Sequence, residues 1–396
     1  MVKPDALPPE SLIHPCDPEL LNFKTTDELP NLEKVLGQPR ALRALELGSE
    51  VSGPGFNIFV TGLPDSGRTT LTSEYIKRKA AAESVPDDWG YVNNFDNSYK
   101  PLAIRLPAGR AASLKQDVSN LISRCQQEIQ AAFQSEGYIN ERNDLTRSMQ
   151  ETQELEFQKL QEYTSQHSFK IVRDPSGFRL VAVVEGHPLS PQELEKLSPE
   201  QRQKFEELEG KLESKAIETI QKMREIGEEI FQKFKELDRR TVQFATDHLL
   251  EPVKANYAGM EKVIQHLDAI QADIVANAEK FRPDGKEAPD FQWLSRYEIH
   301  VLIDNSELKG APVVIESHPT YQNLVGRIEH RLVFGISQTS FTMIRPGALH
   351  RANGGYLLLP AGEVLVNPYA WQGLEQALRN GEIRVQELGS QLGLIS

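Results

Sequence analysis

The sequence predicts an α/β domain interrupted by a long helical insertion that bears a small β-hairpin. Three observations carry this. An apolar run, residues 56–60, leads into a glycine-rich loop and a helix-like segment in "FNIFVTGLPDSGRTTLTSEYI". Near Ala111 the character changes abruptly, and as far as about Phe281 the chain is mostly long helical pattern rich in Glu, Gln, Lys and Arg. After the polar stretch "RPDGKEAP", β-rich pattern resumes in "YEIHVLIDN", "APVVIES" and "GGYLLLP". Strands alternating with helices predict a parallel, helix-flanked core.

Taken in order, residues 1–55 form an N-terminal segment, proline-rich and then amphipathic, with Leu32, Val35, Leu36, Leu42, Leu45 and Leu47 among charges. Residues 56–110 are the first part of the α/β domain, with a strand at 56–60 and a second strand-like piece in "KPLAIRLPAG". Residues 111–285 are the insertion. Two helix starts stand out in it, Ser190-Pro191-Gln192-Glu193 and Ser198-Pro199-Glu200-Gln201, each with a serine N-cap, proline at the first helical position and a Glu or Gln to close a capping box. Ile220, Met223, Ile230, Phe234 and Leu237 recur at the spacing of a coiled-coil-like seam between antiparallel helices. Two β-rich runs near 168–184 flank Asp174-Pro175-Ser176-Gly177 and predict a hairpin. Residues 286–396 are the second part of the α/β domain, ending in helix-like "YAWQGLEQALRNG".

Composition narrows the function. The chain of 396 residues has a formal net charge of −13, which argues against non-specific nucleic-acid binding, since phosphate contacts need clustered Lys and Arg, and no specific nucleic-acid partner is expected. No run of eighteen apolar residues occurs, so no membrane association is expected, and the N-terminus lacks the apolar core of a secretory signal. Cys16 and Cys125 lie far apart and read as two free thiols, which fits a cytoplasmic protein. His300, His318, His330 and His350 lack metal-ligand spacing, and no metal site is expected.

The loop matches the phosphate-binding pattern G-x-x-x-x-G-K-[S/T] at Gly62, Gly67 and Thr69, but Arg68 stands at the lysine position. Such a loop works because backbone N–H groups and a helix N-terminus surround phosphates, while the glycines let the backbone come close. Arginine keeps the charge but is bulkier and planar. Asp65 places a carboxylate inside the loop. The second half of an ATPase site is an acidic pair after a buried strand, one member supporting magnesium and the other orienting water. After Leu357-Leu358-Leu359 come Pro360 and Ala361, which carry no carboxylate, and Glu363 arrives later. The loop keeps its shape while the machinery of hydrolysis is missing. ATP and magnesium are therefore not required cofactors, although the loop residues could still bind ATP.

The blocks "HPTYQNLVGRIE", "FTMIRPGALHRANGGYLLL" and "NPYAWQGLEQALRNGEIRVQELGSQLGLIS" resemble the AAA-type region of Lon-related proteases, in particular a Lon-like subgroup with a long helical insertion between its two nucleotide motifs. In the wider AAA group an Asp-Glu pair follows the "GGYLLL" strand, which puts Pro360 and Ala361 at the acidic positions. The resemblance implies a degenerate-motif subgroup that works without ATP hydrolysis. It also implies homo-hexameric chambers that admit unfolded polypeptides and cleave them with a serine–lysine dyad in a C-terminal domain. No block like that protease domain or the helical lid is found before Ser396, so both are expected outside this chain and no catalytic residue is assigned within it. The run 323–341, with Arg327, Phe334 and Phe341, is a candidate loop facing a central pore, where aromatic side chains grip an extended polypeptide. Ordinary strand and core packing is the alternative for those residues.

Three functions follow from these readings: a substrate-recognition and gating region that works without ATP hydrolysis, a nucleotide-binding module that retains ATP binding or turnover, and a non-enzymatic helical oligomerisation scaffold.

Overall fold

The computed structural model describes residues 8–13, 15–29, 38–51, 53, 55–63, 66–174, 177–184, 187–188, 198–282, 291–333 and 336–385. The Ser190-Pro191 helix start, Asp65, Phe334 and the residues Leu32, Val35 and Leu36 lie outside them. Three short 3-10 turns precede helix α1, Pro39–Glu50, and helix α2, Arg68–Ala80. Strands β1, Asp88–Val92, and β2, Leu102–Leu106, follow.

Two helices, α3 (Arg110–Phe133) and α4 (Glu136–Gln166), then run one after the other along α5, Pro199–Asn256. At 58 residues α5 is roughly 87 Å long. Both pack antiparallel to it. Arg110 Nη2 donates to the Asn256 carbonyl, Tyr138 Oη to Asp238, and Gln153 Nε2 to the Met223 carbonyl, so the partner's number falls as the residue's own rises. The arm's far end carries an antiparallel sheet of β3 (Phe169–Asp174), β4 (Gly177–Val184) and β5 (His187–Pro188). Asp174 pairs with Gly177, as the turn residues predict. Helix α5 begins at the expected Pro199, and Arg202 N–H donates to the Ser198 carbonyl. Of the expected seam, Ile230 and Leu237 are buried and Met223 and Phe234 half-buried, but Ile220 is exposed. The buried line runs through Leu212, Ala216 and Thr219, and Ile220 is one residue, about 100° of helix, past it.

The largest core joins this body to a sheet. Leu114, Val118, Leu121, Cys125 and Ile129 of α3 pack with Val242 and Leu250 of α5 and with Leu267, Ile270 and Ile274 of α6, Glu261–Ala276. Val92, Ile104 and Leu106 belong to the same cluster, so the core is continuous across residues 110 and 111. Beyond the one-turn helix α7, Phe291–Leu294, comes β6, His300–Ile303, and the sheet order is β2-β1-β6, antiparallel throughout. Burial pushes the Cys125 thiol up to about 12, leaving it inert, and Cys16 is likewise free.

Where α3 gives way to α4, Tyr138 donates to Asp238 at 2.7 Å, Arg142 donates to Tyr138 at 3.0 Å, and Arg282 pairs with Asp238 at 3.6 Å. Burial and then the Asp238 hydrogen bond push the Tyr138 hydroxyl up to about 12. Replacing Tyr138 with Phe removes a charge-assisted bond and is expected to cost about 1–2 kcal/mol, read as a lower urea midpoint at unchanged slope.

The rest of the chain builds a second unit from β7 (Val313–Ile315), α8 (Tyr321–Val325), β8 (Gly326–Ile328), β9 (Arg331–Val333), β10 (Ile336–Gln338), β11 (Ile344–Pro346), α9 (Ala348–Arg351), β12 (Tyr356–Leu358), α10 (Ala361–Val366) and α11 (Ala370–Asn380). Its core is Tyr321, Leu324, Val325, Ala348, Val364 and Ala370. Among the described residues β7 and β12 are the one parallel pair, and β8–β11 and β9–β10 are antiparallel. The expected parallel, helix-flanked core is thus met only by the β7–β12 pair among the described residues. The expected strand at 56–60 is also not formed among the described residues, and that segment has no ladder partner.

Candidate functional site

The candidate site is the loop that ends at α2 together with the end of β12. Residues 56–63 approach the loop exposed, with Phe59 at 77% and Leu63 at 80% of full accessibility. The local pattern that predicts a strand supplies apolar side chains but no ladder partner, and pairing is a tertiary event. On either side of residues 64–65, Ser66 N–H and Oγ–H both donate to the Leu63 carbonyl, at 3.3 and 2.7 Å. Gly67 has φ +74°, left-handed backbone that glycine adopts without Cβ strain, and it leads directly into α2. The first N–H groups of α2 therefore open on the loop, the geometry that attracts anions.

Arg68 changes what the loop can do. Its Nη1 donates to the Gly62 carbonyl at 2.6 Å, so the guanidinium spans the loop and is engaged with the backbone of the loop itself. A Cβ at Gly62 would meet Ser66 Oγ at 3.0 Å, which shows how closely the loop is drawn together. Thr69 lies exposed on the first turn of α2. The structure thus joins Arg68, next to Gly67 at the start of α2, to Gly62 by a hydrogen bond.

The links from α2 to the parallel pair are at its opposite end. Ala311 N–H donates to the Ala80 carbonyl at 2.9 Å, and Tyr356 Oη donates to Glu83 at 2.7 Å. At the end of β12, Pro360 caps α10 and Ala361 is its first residue, with Val364 N–H donating to the Pro360 carbonyl. Neither side chain can bind a metal or activate water. Glu363 is exposed on the first turn of α10. The acid that the structure does bring to the strand ends is Glu316, whose N–H donates to the Leu358 carbonyl. Its carboxylate is already occupied, by Arg351 at 3.3 Å and by the His318 N–H. The sequence signal for Glu316 is its position just past "APVVI", the carboxyl end of a strand in a parallel pair.

The candidate polypeptide-contacting residues separate. Arg327, on β8, and Arg345, on β11, both pair with Glu329, at 3.0 and 2.8 Å, and these hydrogen bonds hold its carboxyl below the usual range. Phe341 is half-buried against Leu302, Ile303 and Ile344. In the β9–β10 pair Leu332 lies opposite Ser337 and is 75% exposed. Of the histidines, His300 Nε2 contacts the Ile344 carbonyl, and His350 Nδ1 accepts from the Gly347 N–H at 3.2 Å. Among the described residues no group of three His, Cys, Asp or Glu side chains could hold a metal, and no helix is long and apolar enough to cross a membrane.

Comparison with known proteins now adds two findings. Residues 309–396 match the family model described as the LonB-like AAA domain, and residues 88–121 match that of the Lon-like LonC helical domain. The first covers the second structural unit, and the second covers β1, β2 and the start of α3. No curated protein matches the chain. Two separate segments with matches to Lon-type domains support a Lon-related protein with an AAA-like part.

Proposed function

We propose that this region receives unfolded polypeptide for a Lon-type serine protease, and that it does so without hydrolysing ATP. The observation that carries the second half is Arg68 engaged with the Gly62 carbonyl while Pro360 and Ala361 occupy the end of β12. A nucleotide phosphate would have to displace that guanidinium, and no carboxylate at residues 360 and 361 would then hold magnesium or activate water. The exposed Leu332, in the middle of β9, favours the first half, because an unfolded chain offers apolar groups that such a side chain can take up. In this reading Arg327 and Phe341 brace the hairpin, the subunits form a homo-hexameric ring in the cytoplasm, and the long arm extends the surface offered to substrate.

The test is binding of an unfolded, fluorescein-labelled model protein to the chain, with and without Mg-ATP, alongside calorimetry with Mg-ATP alone. Equal affinities and no heat of nucleotide binding are expected. Leu332→Ser should weaken polypeptide binding at unchanged stability. Phe341→Ala should cost about 3 kcal/mol of stability, as for a large aromatic removed from partial burial. ATP turnover that Thr69→Ala abolishes would overturn the ATP-independent reading. Gly67 and the open start of α2 favour a second reading, nucleotide binding without turnover, and calorimetry would reveal it directly.

A further inference from the structure

Residues 15–29 hold a shape of their own and pack on almost nothing. Asp17 Oδ1 accepts from the Glu19 N–H, and the Leu20 and Leu21 N–H groups donate to the carbonyls of Asp17 and Pro18. The Glu28 and Leu29 N–H groups donate to the carbonyls of Thr25 and Thr26, and the Lys24 N–H donates to the Glu28 carboxylate. All of these bonds are local. Phe23 is half-buried, every other residue of the segment is exposed, and Leu20 stands at 77% of full accessibility. Leucines left in water forgo the stabilisation that burial brings. Beside them stand Asp17, Glu19, Asp27 and Glu28, opposed in charge by Lys24 alone, so the segment is both apolar and acidic.

The same chain carries a surface of the opposite character. On α1, Arg40, Arg43, Ala44 and Leu47 follow the i, i+3, i+4, i+7 spacing of one helix face. All four are exposed, Leu47 at 66%, whereas Leu45 is buried on the other side. Glu46 and Glu50 fall to one flank of this face. Beside Leu47, Gly48 lies against Ile58, since a Cβ there would meet Ile58 Cγ1 at 3.1 Å. The exposed apolar run 56–60 therefore adjoins α1 and widens the apolar area. Among the described residues neither Arg40 and Arg43 nor the carboxylates of Asp17 and Glu19 have an ion-pair partner.

One chain thus presents both halves of a complementary contact, and within the chain neither half covers the other. We infer that residues 15–29 of one copy dock on the α1 face of a second copy, with Leu20 and Leu21 against Leu47 and with Asp17 and Glu19 against Arg40 and Arg43. A second copy fits because each chain brings segment and receptor in equal number, and charges of opposite sign fix the register. The contact is head-to-tail: it uses two different surfaces, and such contacts repeat around a ring when the rotation closes. This rests on the ring proposed above and names surfaces that would build it.

The experiment is sedimentation velocity of the full chain over a range of concentrations. Wild type is compared with Asp17→Arg/Glu19→Arg, with Arg40→Glu/Arg43→Glu, and with the combination of all four changes. Wild type should self-associate, and less so as salt rises. Each double variant should associate roughly tenfold or more weakly, because like charges then face each other, and the combination should restore association. Thermal midpoints measured on dilute samples should be unchanged, since all four side chains are exposed and unpaired within the chain. Self-association that both double variants leave intact, or that the combination fails to restore, would overturn this docking and leave a ring built through other surfaces standing. A wild-type chain that stays monomeric throughout would overturn the docking and the ring together, while the anisotropy of bound unfolded protein reads the polypeptide-receiving role separately.

Discussion

Gly347→Ala unfolds the second unit, with an expected loss of about 3 kcal/mol or more, at the upper end of overpacking costs. The reason is backbone meeting backbone. A Cβ on Gly347 would fall on the Leu324 carbonyl oxygen and the Gly326 amide nitrogen, closer than 3.0 Å, a separation that real Cβ atoms do not show. Neither neighbour can rotate away, because Gly326 begins β8 and pairs with Pro346 of β11. Gly326 has φ +98°, and a Cβ there would fall on the Arg345 carbonyl in turn, so two facing glycines make this approach of the two strands. Splitting β8 from β11 frees the hairpin that carries Leu332, so polypeptide binding should fall with stability. The control is Gly362→Ala: an added Cβ there has nothing within 4 Å, and alanine favours α10, so this variant should be neutral or slightly stabilised. Thermal unfolding of the two variants, side by side, checks the contrast.

Acidification destabilises the protein through two buried histidines. Burial pushes His266 and His350 down to about 4, against an ordinary value of 6.5. A histidine whose folded pKa lies below its unfolded one contributes fully above about pH 6.5, and that contribution is lost as pH falls through the folded value. The expected loss is about 3 kcal/mol per histidine between pH 6.5 and pH 4. His266 stacks on Phe95, with ring centroids 5.9 Å apart, and among the described residues its Nε2 has no hydrogen-bond partner. His350 has a further reason to remain neutral, because its Nδ1 accepts the Gly347 N–H, and a protonated imidazole has no acceptor to offer. Urea midpoints should fall steadily from pH 7 to pH 4. His350→Asn keeps an acceptor near the Nδ1 position and His266→Gln keeps a polar tip; the double variant should flatten the profile. A wild-type midpoint constant over that range would show that neither histidine is held neutral.

Much of the architecture was legible locally. The start of α5 at Pro199 and the pairing of Asp174 with Gly177 follow from residues within a turn of each boundary, where capping and turn chemistry act. The helical seam was legible to within one residue's rotation, and Ile220 fell on the wrong side because a period alone does not say where the partner helix lies. Strand direction was not legible. β-rich runs at 102–106 and 300–303 carry the right composition, yet β1 pairs antiparallel with both β2 and β6, a choice made by how the chain returns rather than by the residues in the strands.

The candidate site divides the same way. By itself the sequence determined that Gly67 can take left-handed backbone before α2, and that residues 360 and 361 bring no carboxylate, because these are properties of the residues themselves. Only the tertiary structure decided that residues 56–60 meet no strand partner among the described residues, that Arg68 reaches the Gly62 carbonyl, and that Glu316 comes to the end of β12. Local signals act over one turn of backbone, whereas pairing and pockets are closed by contacts between distant segments, and their identity depends on every element that packs between them.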